Sequence, residues 1–162
     1  MANAFAASTA NARRPADPTW HELAAVTGAK RMLWLRSRTR WAPCGLEWDT
    51  VAVEPMVAAL DALTAMRAGT RHGYQVLADH LSDRLYIAVP THGADAFGDI
   101  PGVRVLSVGH QLLIPNTPKE GTIVADWISY PHGSTPLLLA GARLAACLRE
   151  CSVPTDAKAT ER

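Results

Sequence analysis

Residues 74–115, YQVLADHLSDRLYIAVPTHGADAFGDIPGVRVLSVGHQLLIP, decide how the chain is read. Four short runs, Tyr74–Ala78, Leu85–Val89, Val103–Ser107 and Gln111–Ile114, are rich in Val, Ile, Leu and Tyr. Ser-Asp, a Pro- and Gly-bearing linker and Val-Gly-His lie between them. Apolar runs of this length, separated by turn chemistry, predict consecutive strands of a mainly antiparallel sheet.

Upstream, Thr19 with Glu22 three residues on is a capping-box pattern, which predicts a helix over 19–27 that stops at Gly28. RMLWLRSRTRW, residues 31–41, reads as a strand with Arg36, Arg38 and Arg40 on one face and Ser37 and Thr39 on the other. Trp48–Glu54 is a second strand, and Pro55 suits the first turn of a helix running to about Arg67. Met56, Val57, Leu60, Leu63 and Met66 give that helix an apolar stripe. Downstream, residues 117–121 form a loop and 122–128 a last strand. A final helix begins at Ser134-Thr135-Pro136 and runs to about residue 150. The expected fold is therefore α+β, an antiparallel or mixed sheet of roughly five to seven strands with about three packed helices. Residues 1–16 and 152–162 read as flexible tails around one domain at 17–151.

Composition agrees with a folded domain. The chain has 162 residues, 48% of them apolar, and a net charge of +1 that by itself selects no partner. The charge is unevenly spread: between Glu22 and Glu47 lie Lys30, Arg31, Arg36, Arg38 and Arg40 and no acid. The three cysteines form no CxxC pair and no ordered set with histidine, so neither a zinc site nor a disulfide framework is expected. An odd cysteine count without a secretory signal suits the cytoplasm. No apolar run approaches the ~18 residues of a spanning helix, so no membrane partner is expected.

The order of these elements carries a family resemblance. A Trp-Asp-x-Val strand precedes a Pro-started helix. A strand before a Ser-containing turn, a strand ending in Val-Pro, and PGVRVLSVGHQLLIP then follow. Over residues 45–131 the chain resembles the small prim-pol-like proteins of actinobacteria. These are similar to the N-terminal domain of bifunctional DNA primase/polymerases, in the archaeo-eukaryotic primase superfamily. The resemblance implies a nucleotide cleft in which two acids one residue apart, a third acid and a histidine serve metal and phosphate. Here the first pair is reduced to Glu54, with Ala52 and Met56 as its neighbours on that face; Asp49 points to the opposite one. Arg84 stands in the histidine's place and Arg104 in that of the third acid. Metal-dependent nucleotidyl transfer needs hard oxygen ligands in fixed geometry. The degenerate motifs thus imply a non-catalytic module, a pseudoenzyme with no metal and no cofactor. Exchanging acid for arginine suits an anionic ligand.

Other constellations offer further candidate surfaces and sites. Arg36, Arg38 and Arg40, flanked by Trp34 and Trp41 and extended by Arg84 and Arg104, form a candidate nucleic-acid surface, since arginine neutralises phosphate and aromatics stack on bases. The same charges could equally keep an exposed sheet edge soluble. Glu54, Asp49 and His110 are the weak candidates for a rearranged metal-dependent enzyme, with His110 at a tight Gly-His hairpin. His72, His80, His92 and His132 share turns with several aspartates, where polar residues belong in any case. No GxSxG, GxGxxG or GxxxxGK[ST] pattern occurs. Self-association or a protein partner, through an exposed edge and its tryptophans, is the third class.

Overall fold

The computed structural model describes residues 15–151, so the two expected tails, apart from residues 15 and 16, lie outside the described residues. The capping box forms as expected. Thr19 Oγ1 accepts from the Glu22 amide at 3.0 Å and Glu22 Oε2 accepts from the Thr19 amide at 3.2 Å, opening α1, Trp20–Ala24. Trp20 is buried, and its indole N–H donates to the Ala68 carbonyl at 2.8 Å.

The next stretch corrects the sequence reading. Gly28 does not end a helix but begins one: Thr27 accepts from the Lys30 amide and caps α2, Gly28–Trp34. Of the segment expected as a strand only residues 39–41 are extended; with Ala42 and Pro43, expected to break it, they form β1, Thr39–Pro43. A capped start followed by Ala29, Lys30, Arg31, Met32 and Leu33, all tolerant of helix, outweighs the alternation further on. Arg36 and Arg38 therefore lie in the connection before β1, and only Arg40 belongs to the strand.

Five strands build the main sheet: β2, Asp49–Val53; β3, Val76–Asp79; β4, Arg84–Val89; β5, Val103–Leu106; and β7, Asp126–Ser129. Their order is β5-β2-β4-β3-β7 and every pairing is antiparallel. β6, Gln111–Pro115, leaves this sheet and pairs with β1 as a two-stranded antiparallel ribbon. The fold is thus α+β with seven strands, as expected. The four central runs do not, however, all share one sheet. The turn from Ser107 to His110 (amide to carbonyl, 3.0 Å) joins strands of different sheets and is not a hairpin.

The period of two sorts side chains cleanly. Val51, Val53, Val76, Ala78, Leu85, Ile87 and Val89 face α3, Met56–Ala65, and α4, Gly141–Cys151, in the main core. Phe97, on a 3-10 turn at Ala94–Phe97, joins them with Ile100. Two boundaries differ from expectation. The final helix starts at Gly141 because Leu137 makes a parallel bridge with Tyr74 and Leu139 is buried, which keeps residues 136–140 out of the helix. The last strand starts at Asp126 because Thr122 and Ala125 close a tight turn on each other.

The opposite face of the sheet carries a smaller cluster of Cys44, Leu77, Leu106, Leu112 and Ala125, through which the β1–β6 ribbon leans on the sheet. Cys147 and Cys151 pack against the main core, and all three cysteines are free. Among the described residues no helix is long and apolar enough to cross a membrane.

Candidate functional site

Where the ribbon stops covering the sheet, a cleft of about 460 Å³ opens. Its floor is set by strand register. Arg104 on β5, Ala52 on β2 and Tyr86 on β4 are direct cross-strand partners, so they form one row across the sheet. Ala52 is the small member of that row, and its single methyl group leaves the space between a guanidinium and a phenol ring. Trp41 from β1, 63% exposed, and Gln111 and Leu113 from β6 form the facing wall.

The next row carries Glu54 and Arg84. Arg84 Nε donates to Glu54 Oε2 at 3.0 Å, with both side chains about half exposed. The Glu54 carboxylate, and to a lesser degree the Tyr86 hydroxyl, holds the Arg84 guanidinium above its ordinary range. Asp79, the register partner of Arg84, completes that end of the cleft and accepts from the Leu81 and Ser82 amides at 3.0 Å each. Gly102 closes the floor. Its φ is +74°, and a Cβ there would stand 2.1 Å from the Glu54 carbonyl oxygen. The glycine is what allows β5 to run against β2 at this point.

The candidate residues are thus only partly brought together. Glu54, Arg84, Arg104 and Trp41 meet in the cleft. Arg40, on the other face of β1 from Trp41, lines a hollow of about 170 Å³ with Trp127, Tyr130 and Pro131. Arg36 and Arg38 are exposed and stand apart from both. Trp34 is no stacking platform: it packs on His80, ring centroids 5.7 Å apart, and its indole nitrogen is buried. Asp49 shares its parity with Val51 and Val53, is 2% exposed, and lies across the sheet from the cleft. His110 is exposed, with its ring nitrogen on the Ser107 amide at 3.2 Å. Glu54, Asp49 and His110 therefore do not share a site. Among the described residues no group of three or more His, Cys, Asp or Glu side chains could hold a metal ion.

Tyr86 and Gln111 were not singled out from sequence, and Asp79 was read only as one of the aspartates in turns. The alternation of RLYIAV already put Arg84 and Tyr86 on one face. The crossing of β6 to β1, which brings Gln111 and Trp41 over that face, had no local signal. His80 and Asp126 were read as separate turn residues, yet with Lys30 they meet in a buried polar cluster. Asp126 Oδ2 accepts from Lys30 Nζ at 2.8 Å and lies 2.9 Å from His80 Nε2, tying α2 to the far edge of the sheet. Comparison with protein-family models, with curated proteins and with solved structures gives no match.

Proposed function

We propose that the chain is a non-catalytic prim-pol-like module whose cleft binds a nucleotide or a nucleic-acid strand without metal. The row Arg104–Ala52–Tyr86, walled by Trp41, carries this reading. A guanidinium for phosphate, an open floor and aromatic faces for a base are the parts that sequence-tolerant nucleic-acid sites combine. Arg104 makes no ion pair among the described residues, so its charge is available to a ligand. The cleft's volume lies in the range of small-ligand sites.

The test is titration of labelled single- and double-stranded DNA and RNA at low and at moderate salt. Saturable, salt-sensitive binding is expected, weakened about fivefold or more by Tyr86→Ala, since stacking contributes roughly 1–3 kcal/mol per base. Arg36→Ala and Arg38→Ala should lower it only slightly. Absence of binding at low salt would remove the proposal, and metal-dependent nucleotidyl transfer by the purified protein would overturn its non-catalytic part.

One observation favours a second reading, a protein-interaction module. Met32, Leu33 and Leu35 are 68%, 46% and 77% exposed on and just after α2, beside Arg31 and Arg36. A stable monomer at high concentration by light scattering, with no partner-dependent shielding of these side chains, would count against it.

A further inference from the structure

The charges that line the cleft specify what it can hold. Two guanidiniums, Arg84 and Arg104, stand against two carboxylates, Glu54 and Asp79, so the lining sums to zero. The four are not evenly mixed. Arg84 is engaged by Glu54 at 3.0 Å and faces Asp79 across β4 and β3, while Arg104 has no carboxylate partner among the described residues. Strands lie about 4.8 Å apart and rise about 3.3 Å per residue, so the backbones of Arg104 and Arg84, two strands across and two residues along, are roughly 12 Å apart. One end of the cleft is therefore open to an anion and the other is already neutralised, with acid on both sides of its arginine.

Resting on the nucleotide reading above, we infer that the cleft selects a single phosphomonoester carried by a base, that is, a nucleoside monophosphate, over the di- and triphosphate. The phosphate lies on Arg104, where charge-assisted hydrogen bonds form without displacing a carboxylate. The sugar crosses Ala52, and the base reaches Tyr86 and Trp41. A further phosphate would leave Arg104 either over the outer edge of β5, where the lining offers no cation, or along the neighbouring Gly102–Glu54 row, where the Glu54 carboxylate meets it first. A triphosphate normally relies on a metal to bridge its oxygens. Without that metal, a second and third phosphate find no free cation in the lining, since Arg84 is held by Glu54. Glu54 is then a specificity-determining residue: it occupies Arg84 and so denies it to a second phosphate. An exposed ion pair of this kind is weak, and removing its carboxylate frees the arginine at little cost to the fold.

The experiment is calorimetric titration of the full chain, without divalent metal, with adenosine and guanosine and with their mono-, di- and triphosphates. The monophosphate should bind about tenfold tighter than the triphosphate and than the bare nucleoside. Arg104→Ala should remove that advantage over the nucleoside, with circular dichroism establishing that the variant is folded. Glu54→Gln should raise triphosphate affinity more than monophosphate affinity and narrow the gap. A wild-type triphosphate that binds as tightly as the monophosphate, or tighter, overturns the inference but leaves the nucleotide cleft. Binding of oligonucleotides with none of any mononucleotide also overturns it and leaves the broader reading standing. Absence of both sinks the two together.

Discussion

Asp126→Ala is the substitution for which the structure gives the fullest expectation. The Asp126 side chain is 8% exposed, and one of its oxygens holds both Lys30 and His80, whose side chains are 22% and 10% exposed. Removing the carboxylate leaves an ammonium and an imidazole without their partner. Breaking a buried pair from one side costs about 3–5 kcal/mol. Here Lys30 keeps the Leu23 carbonyl and some water, so the expected loss is about 2–4 kcal/mol. For a chain of this size, ~3 kcal/mol lowers the melting midpoint by roughly 6–12 °C. Urea titration followed by circular dichroism and tryptophan fluorescence measures it, Trp34 being packed against His80. Lys30→Met added to Asp126→Ala should cost less than the sum of the two, because the second change removes the charge that the first stranded. An Asp126→Ala variant within about 0.5 kcal/mol of the wild type, or strict additivity, would refute the view that this cluster fastens α2 to the sheet.

Two further outcomes follow from single positions. Gly102→Ala should destabilise by about 2–4 kcal/mol in the same titration, because a positive φ and a Cβ clash with backbone combine there; a neutral result would contradict the close approach of β5 to Glu54. Burial, aided by the Asp49 charge and opposed by a hydrogen bond from Thr50, pushes the Cys44 thiol up. The folded chain therefore keeps this proton to higher pH than the unfolded one. The stability it protects is present below the ordinary thiol value of ~8.5 and lost as pH rises above it. Wild type should lose more stability than Cys44→Ala between pH 7 and pH 10, and native Cys44 should alkylate far more slowly than the half-buried Cys147. Equal rates would contradict the burial.

Much of the sheet was legible because period-two alternation is a local property. RLYIAV and DTVAV place apolar residues on one face and Arg84, Tyr86 and Ala52 on the other without any knowledge of the partner strand. The helix at Thr19 was legible from its caps, but α2 was not. The alternating arginines at 36, 38 and 40 imitate a strand, whereas Thr27 caps a helix upstream of them. The same error joined Arg36, Arg38, Arg40 and the flanking tryptophans into one surface, which the fold divides among a connection, a ribbon edge and a packed interior. Pairing across the chain is where sequence reading fails in principle. Nothing near Gln111 announces that its strand will abandon β5 for β1, and that crossing is what roofs the cleft. Glu54, Arg84 and Arg104 are brought to one place by the pairing of β2 with β4 and with β5, and Lys30, His80 and Asp126 by contacts spanning up to 96 residues that no spacing rule reaches.

The most direct test of the cleft as a ligand site is a nuclear magnetic resonance titration of the ¹⁵N-labelled chain with a nucleoside monophosphate and with a short single strand. The account expects the Arg104 and Arg84 guanidinium signals, with the Ala52, Tyr86 and Trp41 signals, to shift together and saturably. Shifts confined to Met32, Leu33 and Leu35, or no shifts at low salt, would contradict it.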